Sequence, residues 1–360
     1  MEDCDMTKQN YCVIMAGGIG SRFWPLSKDN YPKQFLDILG TGKSFIRSTF
    51  DRFLPIVPAE NFLVVTNAAY KELVLEHLPQ IKPDQVLCEP MRRNTAPCIA
   101  YATYHIMAKC KDANIVVTPA DHLVTNEVEF QRIISKAFDF VAQTEHNEAL
   151  LTIGIQPTRP ETGYGYIQVD EESVAELGTV VKLKSFTEKP NLEKAKQFLA
   201  AGSYFWNSGI FVWSMNGIKT AFDTYLPEIV EVFDRGKDVF ATAGEQEFID
   251  ANFADCTNIS IDYGVMEKSP NTYTIPANFG WSDIGTWGSL FNHAAKDINN
   301  NAVAGKVVLV NTNGTIVNIQ EGVEAVVQGL ENYLVAYRDN SLLICKLSDE
   351  QKIKEWIAEL

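Results

Sequence analysis

Short apolar runs alternate with longer helical patterns through the first two-thirds of the chain. The runs are rich in β-branched residues, as in strands that are buried on both faces. Strands are predicted at 11–16, 62–67, 85–89, 114–121 and 149–155, and helices at 71–78, 94–110 and 129–143. Such alternation implies parallel strands joined by right-handed helical crossovers. We therefore predict a Rossmann-like α/β fold with a mixed, mainly parallel sheet flanked by helices.

The character of the chain changes after about residue 297, where Asn and Gly become frequent among short β-type runs. Residues 333–347 have the pattern of a hairpin with an Asp-Asn turn, and residues 349–360 that of a short helix. Hints of internal repetition are weak. We predict two domains, a large α/β domain over 1–295 and a small β-rich domain over 296–360 that ends in a helix.

Composition indicates a folded protein with a sizeable core, because 46% of its 360 residues are hydrophobic. The formal net charge of −15 disfavours binding to nucleic acid or to an anionic membrane. A small polyanionic substrate remains compatible with this charge if basic groups or metal ions act locally.

Cysteine usage is typical of a reduced, cytoplasmic chain, since the seven cysteines form no C-x-x-C pair. The five histidines lack the spacing of zinc ligands. The N-terminal residues lack the pattern of a signal peptide, and no apolar run reaches the ~18 residues that span a bilayer. We expect a soluble protein without a membrane segment, and the sequence leaves open whether it forms a homo-oligomer.

The strongest candidate for chemistry is the segment AGGIGSRFWPLSKDNYPKQFL, residues 16–36, which follows the first predicted strand. Its glycines permit a tight turn whose backbone N–H groups can bind an anion. Arg22 and Lys33 add positive charge nearby. The glycines alone are equally typical of a plain turn. Neither the Rossmann spacing G-x-G-x-x-G nor the Walker spacing is present, which disfavours an NAD-dependent dehydrogenase.

The whole segment resembles the signature of the sugar-1-phosphate nucleotidyltransferases, in particular the mannose-1-phosphate guanylyltransferases. The resemblance is strong from about 11 to 290 and weaker beyond. Further blocks follow in the family's order: EPMRRNTAPCIA, TPADHLV, ETGYGYIQ, FTEKP, WNSGIFVW, IDYGVMEK and GWSDIGTW. The resemblance implies a nucleotidyltransferase fold of the glycosyltransferase-A-like kind for residues 1–295.

The resemblance also assigns roles around the nucleotide. Arg22 and Lys33 would hold the triphosphate, and Asp121 and Asp283 would share Mg²⁺, the expected cofactor. These four residues are the predicted catalytic set. Predicted nucleotide-binding residues are Ala16, Gly17, Gly18, Gly20, Ser21, Glu89, Asn94 and Thr95.

The predicted sugar-phosphate residues are Gly165, Glu188, Lys189 and Asn207, again by resemblance. Glu188 would bind sugar hydroxyls, and Lys189 the sugar phosphate. From the residues alone, a Glu-Lys pair is more typical of a solvated loop. A buried Asn207 needs hydrogen-bond partners, which a sugar hydroxyl could supply. The aromatic residues around it are more typical of a core.

Several site residues also have plain structural interpretations. Asp121 follows a strand and Asp283 precedes a helix, so each could be a helix cap. Arg92 and Arg93 are typical of a solvent-exposed charge pair.

The expected reaction is transfer of GMP from GTP to mannose 1-phosphate, with release of pyrophosphate and no covalent enzyme intermediate. Alternatives are another sugar 1-phosphate, such as that of a heptose or fucose, and a catalytically silent sugar-nucleotide sensor. Some bacterial relatives carry a cupin-like isomerase domain, for which this chain has no room, so we expect no phosphomannose isomerase activity.

Overall fold

The computed structural model describes residues 9–18, 20–170 and 177–360. Strands are numbered along the chain: β1 (Asn10–Met15), β2 (Phe62–Asn67), β3 (Val86–Glu89), β4 (Asn114–Pro119), β5 (Leu123–Val124), β6 (Leu150–Ile155), β7 (Tyr166–Gln168), β8 (Val181–Lys182), β9 (Ser185–Thr187), β10 (Tyr204–Ser214), β11 (Thr272–Ala277), β12 (Trp281–Ser282), β13 (Ala302–Ala304), β14 (Lys306–Val310), β15 (Ile316–Ile319), β16 (Glu324–Gln328), β17 (Tyr333–Arg338) and β18 (Ser341–Lys346). The α-helices are α1 (Phe45–Phe53), α2 (Lys71–His77), α3 (Thr95–Lys109), α4 (Glu127–Val141), α5 (Leu192–Ala201), α6 (Met215–Tyr225), α7 (Pro227–Asp234), α8 (Glu245–Asn252), α9 (Trp287–His293) and α10 (Ile353–Ile357).

Contacts divide the chain into two units that interleave along the sequence. The first unit holds the described residues up to Gly17, together with Thr49–Ala120 and Val124–Trp281. The second unit consists of Gly18–Ser48, Asp121–Leu123 and Ser282–Leu360.

The first unit is built on a ten-stranded sheet, in the order β3-β2-β1-β4-β10-β6-β11-β8, with β7 and β9 attached beside β10. β1 runs parallel to both β2 and β4, so that Cys12 pairs with Phe62 on one side and Val116 on the other. β10 is antiparallel to its neighbours β4 and β6. The predicted mixed, mainly parallel sheet flanked by helices is confirmed.

α3 begins where the sequence predicts. Asn94 is its N-cap, and its side-chain oxygen accepts the N–H of Thr95 at 2.9 Å. Pro97 lies in the first turn, where its missing N–H costs little. The helix is buried on most of its surface because it lies against the sheet on one side and against α7 on the other, where Tyr104 stacks on Phe233 with ring centroids 5.3 Å apart.

β10 contains an irregularity that matters for the site. Its register against β6 shifts between Asn207 and Phe211. Gly209 has a φ of 71° at this point, a backbone conformation that glycine adopts without strain. The bulge holds Asn207 at the surface of the sheet in a fixed orientation.

The C-terminal part of the second unit is a solenoid of parallel β-strands. β13, β15 and β17 pair in parallel, and so do β14 and β16. Ile316 pairs with Leu334, and Lys306 pairs with Glu324, so in each pair the partners are 18 residues apart along the solenoid. The sequence shows the β-rich character of this region but only weakly its repeat.

The solenoid ends in the predicted hairpin, in which β17 and β18 pair antiparallel around Asp339 and Asn340. Both turn residues have positive φ, 48° and 60°, as tight hairpin turns require. The final predicted helix is a 3-10 segment, Leu347–Lys352, followed by α10.

The predicted boundary at 295/296 and the contact-based division differ. Contacts place the change at Trp281 and Ser282, and they add Gly18–Ser48 and Asp121–Leu123 to the C-terminal unit. A boundary drawn from composition along the chain cannot include such distant segments. No helix among the described residues is long and apolar enough to cross a membrane.

Candidate active site

The glycine-rich segment is shaped by one close approach to Lys33. Gly20 has a φ of 66°, and a Cβ there would lie 2.4 Å from the Cβ of Lys33. No other residue type fits this position without displacing the lysine. The Lys33 side chain passes the rings of Phe23 and Phe45, with its ammonium 5.7 and 5.1 Å from their centroids. Packing therefore fixes the direction in which the ammonium points.

Lys33 brings the two predicted metal ligands together. Its Nζ donates to Asp121 Oδ2 at 3.0 Å, to the Asp121 carbonyl at 3.1 Å and to the Asp283 carbonyl at 2.7 Å. An ammonium has three N–H donors, so these bonds use all of them. The side chain is only 4% exposed. These bonds favour a role in holding the aspartates, and direct contact of Lys33 with the triphosphate stays a prediction.

Neither aspartate takes the capping role that the sequence left open. The caps of α4 and α9 are Asn126 and Thr286. The Asp121 carboxylate is 34% exposed. Burial opposes its ionisation, but the charges of Lys33 and His122 outweigh that effect and hold the pKa of Asp121 below its usual value.

Asp283 owes its position to a strained backbone. The next residue, Ile284, has a φ of 40°, which is rare for a β-branched side chain. The Asp283 Oδ1 accepts the N–H of Gly285 at 3.1 Å. Strain of this kind is found mainly where a functional group must be held in place.

The donor set suits a hard divalent cation. The Asp121 carboxylate and the main-chain carbonyls of Asp121 and Asp283 all accept from the same ammonium, so this place favours positive charge. No cluster of three or more His, Cys, Asp or Glu side chains suited to a metal occurs within the described ranges. Mg²⁺ typically takes one or two carboxylates and completes its shell with water and substrate phosphates, so two aspartates are a fitting set.

The predicted base-binding residue Glu89 ends β3 in the first unit. It is 6% exposed, and its Oε1 has no hydrogen-bond partner within the described part of the chain. Its Oε2 lies 3.6 Å from where a Cβ on Gly17 would stand. Burial raises the pKa of Glu89 to about 8, against the opposing charge of Arg92. A buried carboxyl oxygen without a protein partner is costly, and a ligand that donates to it would remove that cost.

Asn94 and Thr95 are anchored to a segment far along the chain. Asn94 has φ 67° and ψ −168°, a conformation almost confined to glycine. The Thr95 hydroxyl accepts the N–H of Ile261 at 2.9 Å, and the N–H of Ala96 donates to the Ile259 carbonyl at 3.1 Å.

The predicted sugar residues of the first unit do come together. A Cβ on Gly165 would lie 2.4 Å from Glu188 Oε2 and 3.3 Å from the Cβ of Asn207, so glycine permits this approach. The Lys189 Nζ donates to Glu188 Oε1. Glu188 is 8% exposed and Lys189 58%. Burial would lower the pKa of Lys189, but its bond to Glu188 prevails and raises it.

Asn207 is occupied by the protein. Its Oδ1 accepts from the Thr152 hydroxyl at 2.7 Å and from the Gly209 N–H at 3.3 Å, and its Nδ2 donates to Asp262 Oδ1 at 2.9 Å. These bonds fix which way the amide faces. Asn207 therefore orients the Asp262 carboxylate, and a direct contact with sugar stays a prediction.

Asp262 is a site residue that the sequence did not single out. It opens a π-helical segment, Asp262–Met266, a feature often found at functional sites. Burial and the nearby charge of Glu188 raise the pKa of Asp262 to about 6. In the sequence it lies in the IDYGVMEK block, which is one of the blocks that carry the family resemblance.

The remaining predicted residues lie in or beside the glycine turn. The Ala16 N–H donates to the Val65 carbonyl at 2.8 Å, so the sheet already uses it. Gly18 and Arg22 are exposed, and Gly17 and Ser21 are partly exposed. Among these residues, Arg22 carries the charge best placed to meet an anion.

A glycine-rich turn that follows the first strand and an aspartate that follows a later one are typical of α/β enzymes that bind the phosphates of a nucleotide. A model of the family described as nucleotidyl transferase matches residues 11–300, and the chain belongs to that family.

Known relatives agree with this membership. The xanthan biosynthesis protein XanB of Xanthomonas campestris is 34% identical over 97% of this chain and 72% of its own length. An Escherichia coli mannose-1-phosphate guanylyltransferase is 33% identical over 97% of this chain and 75% of its own. A crystal structure of a Thermus thermophilus protein, named mannose-1-phosphate geranyltransferase, superposes with a TM-score of 0.85 at 30% identity, over 98% of this chain and 99% of that one. The resemblance seen in the motifs is confirmed.

Proposed function

We propose that the protein transfers GMP from GTP to mannose 1-phosphate, giving GDP-mannose and pyrophosphate. The observation that carries the proposal is the joining of Asp121 and Asp283 by the Lys33 ammonium, although the two aspartates are 162 positions apart. The activity named for the Escherichia coli relative, mannose-1-phosphate guanylyltransferase, supports the choice of substrates.

The phosphate chemistry rests on the second unit. Asp121 and Asp283 would hold Mg²⁺, which when bound supplies positive charge to the phosphate oxygens of both substrates. Lys33 keeps the two aspartates in place, and exposed Arg22 meets the triphosphate. A phosphate oxygen of the sugar 1-phosphate attacks the α-phosphorus of GTP in line, and pyrophosphate leaves. Positioning and charge neutralisation carry such a reaction without a covalent enzyme intermediate.

Glu89 gives a physical reason for choosing guanine. An ionised carboxylate accepts hydrogen bonds from the N1–H and the exocyclic N2–H of guanine, a pair of donors that adenine lacks on the same edge. The unpartnered Oε1 of Glu89 is one such acceptor. Because the pKa of Glu89 is raised to about 8, its carboxyl is mostly protonated at neutral pH. Guanine binds the ionised form, so its binding would release a proton from Glu89.

The sugar would meet two carboxylates and one ammonium. Glu188 and Asp262 accept hydrogen bonds from hydroxyl groups of mannose, while Lys189 binds its phosphate. Asn207 holds Asp262 in orientation through its amide.

A reduced, cytoplasmic setting fits the proposal. All six cysteines that lie within the described ranges are free, as is usual in a reducing compartment.

The test is a coupled pyrophosphate-release assay over four nucleoside triphosphates and several sugar 1-phosphates. We expect the highest kcat/KM for GTP with mannose 1-phosphate. Glu89→Gln should narrow the preference for GTP over ATP, whereas Glu60→Gln, at an exposed glutamate, should not. Equal turnover with UTP or dTTP would refute the guanylyl assignment, preference for heptose or fucose 1-phosphate would change the sugar, and absence of all turnover would favour a sensor.

A further inference from the structure

The end of the chain packs against the active-site segments of its own unit. Ile353 of α10 is fully buried in a cluster with Phe23 and Trp287. The rings of Phe23 and Trp287 are 5.3 Å apart. Phe23 directly follows Arg22, and Trp287 lies four residues after Asp283. The C-terminal segment thus contacts the segment that carries Arg22 and the segment that carries Asp283.

Glu350, just before α10, makes the polar part of this contact. Its Oε2 accepts the N–H of Gly288 at 2.7 Å, and the neighbouring Trp287 N–H and Thr286 side chain favour the ionised form of the carboxylate and so act to lower its pKa. A Cβ on Gly288 would lie 2.9 Å from Glu350 Oε1, so glycine allows this approach. The Glu350 carboxylate therefore bonds to the first turn of α9, which follows the loop that carries Asp283.

The capping box of α9 does not use the Gly288 N–H, and Glu350 supplies the acceptor for it from a distant part of the chain. Thr286 already caps α9, since its hydroxyl accepts the N–H of Ser289 at 3.1 Å and the Ser289 hydroxyl accepts the N–H of Thr286 at 2.9 Å. The carboxylate of Glu350 comes in addition to a complete capping box.

The positive charge of Arg22 also influences Glu350. Burial raises the pKa of Glu350, while the bonds to the loop and the positive charge of Arg22 oppose that rise. The carboxylate therefore lies within electrostatic range of the exposed guanidinium.

We propose that Glu350 is a positioning residue for nucleotidyl transfer, tying the loop that carries Asp283 to the segment that carries Arg22. This inference rests on the proposed function. The C-terminal segment then takes part in the reaction through the two residues it aligns, without touching substrate.

The test compares Glu350→Ala and Glu350→Gln with Glu355→Gln, a control at an exposed glutamate of α10. Four quantities are measured for each variant: kcat, the KM of each substrate, the Mg²⁺ concentration for half-maximal rate, and GTP affinity by equilibrium dialysis. Melting temperatures are measured in parallel.

For Glu350→Ala we expect kcat/KM for GTP to fall about ten- to hundredfold, the range that a charge-assisted hydrogen bond supplies. The Mg²⁺ requirement should rise and GTP affinity should fall, while the KM of the sugar phosphate stays within about twofold. Glu350→Gln, which keeps one acceptor oxygen, should lie between Glu350→Ala and the wild type, and Glu355→Gln should match the wild type.

Unchanged GTP affinity and Mg²⁺ requirement in both Glu350 variants would overturn the proposal, as would an equal loss toward both substrates that follows only the melting temperature. If Glu350→Ala does not fold, Glu350→Gln decides. If the wild type prefers another substrate pair, the proposed function fails first, and the same comparison with that pair still decides the role of Glu350.

Discussion

Two carboxylate clusters of this protein show opposite electrostatics. In the second unit, Asp121 and Asp283 are held by the Lys33 ammonium, and the pKa of Asp121 is lowered. In the first unit, Glu188 and Asp262 share the more exposed Lys189, and burial with the charge of Glu188 raises the pKa of Asp262 to about 6. The first arrangement favours the ionised form of Asp121, which is the form that a cation site requires. The second keeps a carboxylate near its titration point, where it can accept hydrogen bonds from uncharged hydroxyls.

The largest effect should come from the first cluster. Asp121→Asn or Asp283→Asn keeps the side-chain shape but removes a negative ligand, so kcat should fall by ~10²-fold or more. The double variant should be little worse than the worse single one, because residues that act as a unit are not additive. Steady-state kinetics at saturating Mg²⁺ provide the measurement.

The matched control for these variants is Asp112→Asn, at an exposed aspartate before β4. Near-normal turnover in both single variants would eliminate a shared cation site. Unfolding of the single variants, seen as lost melting transitions, would show that the aspartates serve the fold instead.

A smaller and more selective effect is expected at Lys189. Lys189→Ala removes a compact positive charge from the second cluster, so the KM of the sugar phosphate should rise about tenfold or more, as for loss of a charged hydrogen bond. The KM of GTP should change little. Lys194→Ala, at an exposed lysine of α5, is the control, and equal changes in both KM values would refute the assigned role.

The smallest effect is a pH dependence set by Asp262. Under the proposed function its ionised form accepts hydrogen bonds from sugar hydroxyls, so the KM of the sugar phosphate should rise as the pH falls below about 6. The phosphate group of the substrate titrates in the same range. The informative quantity is therefore the ratio of the wild-type KM for the sugar phosphate to that of Asp262→Asn. That ratio should change between pH 5 and pH 7, and a constant ratio would contradict the role.

The raised pKa of Asp262 should also make the stability of the fold depend on pH, in a direction that can be stated. Between about pH 4, the unfolded pKa of an aspartate, and about pH 6, the folded protein keeps a proton on Asp262 that the unfolded chain has released. Its contribution therefore favours folding at low pH and is lost as the pH rises through 6. Asp262→Asn should remove this component from the melting temperature measured against pH.

The sequence predicted the first unit better than the second. Buried runs such as β1 and helices such as α3 carry their own pattern, because local burial and capping determine them. The inclusion of Gly18–Ser48 in the C-terminal unit could not be read from the sequence, since it depends on contacts between distant segments. The repeat of the parallel strands was only weakly visible in the sequence because its steps differ in length: Ala302 pairs with Ile316, 14 residues on, whereas Ile316 pairs with Leu334, 18 residues on.

Several predicted site residues make contacts that the sequence did not show. Lys33 and Asn207 were assigned to substrates, yet all three donors of Lys33 meet protein oxygens, and the amide of Asn207 is oriented by Thr152 and Gly209. Such orientations follow from a bulge in β10 and from packing around the lysine, neither of which has a sequence pattern. The positive φ angles of Asn94, Lys189 and Ile284 could not be predicted from the sequence either, because none of these residues is a glycine.

The most direct test of the central claim is to follow the α-phosphorus itself. Wild-type protein is mixed with α-labelled GTP, mannose 1-phosphate and Mg²⁺, and the labelled species are identified by chromatography and mass spectrometry, with the Asp121→Asn, Asp283→Asn double variant run in parallel. The account predicts that the label appears in GDP-mannose with the wild type, that it never becomes bound to protein, and that the double variant leaves it in GTP. Label covalently attached to the protein, or equal product formation by the double variant, would contradict it.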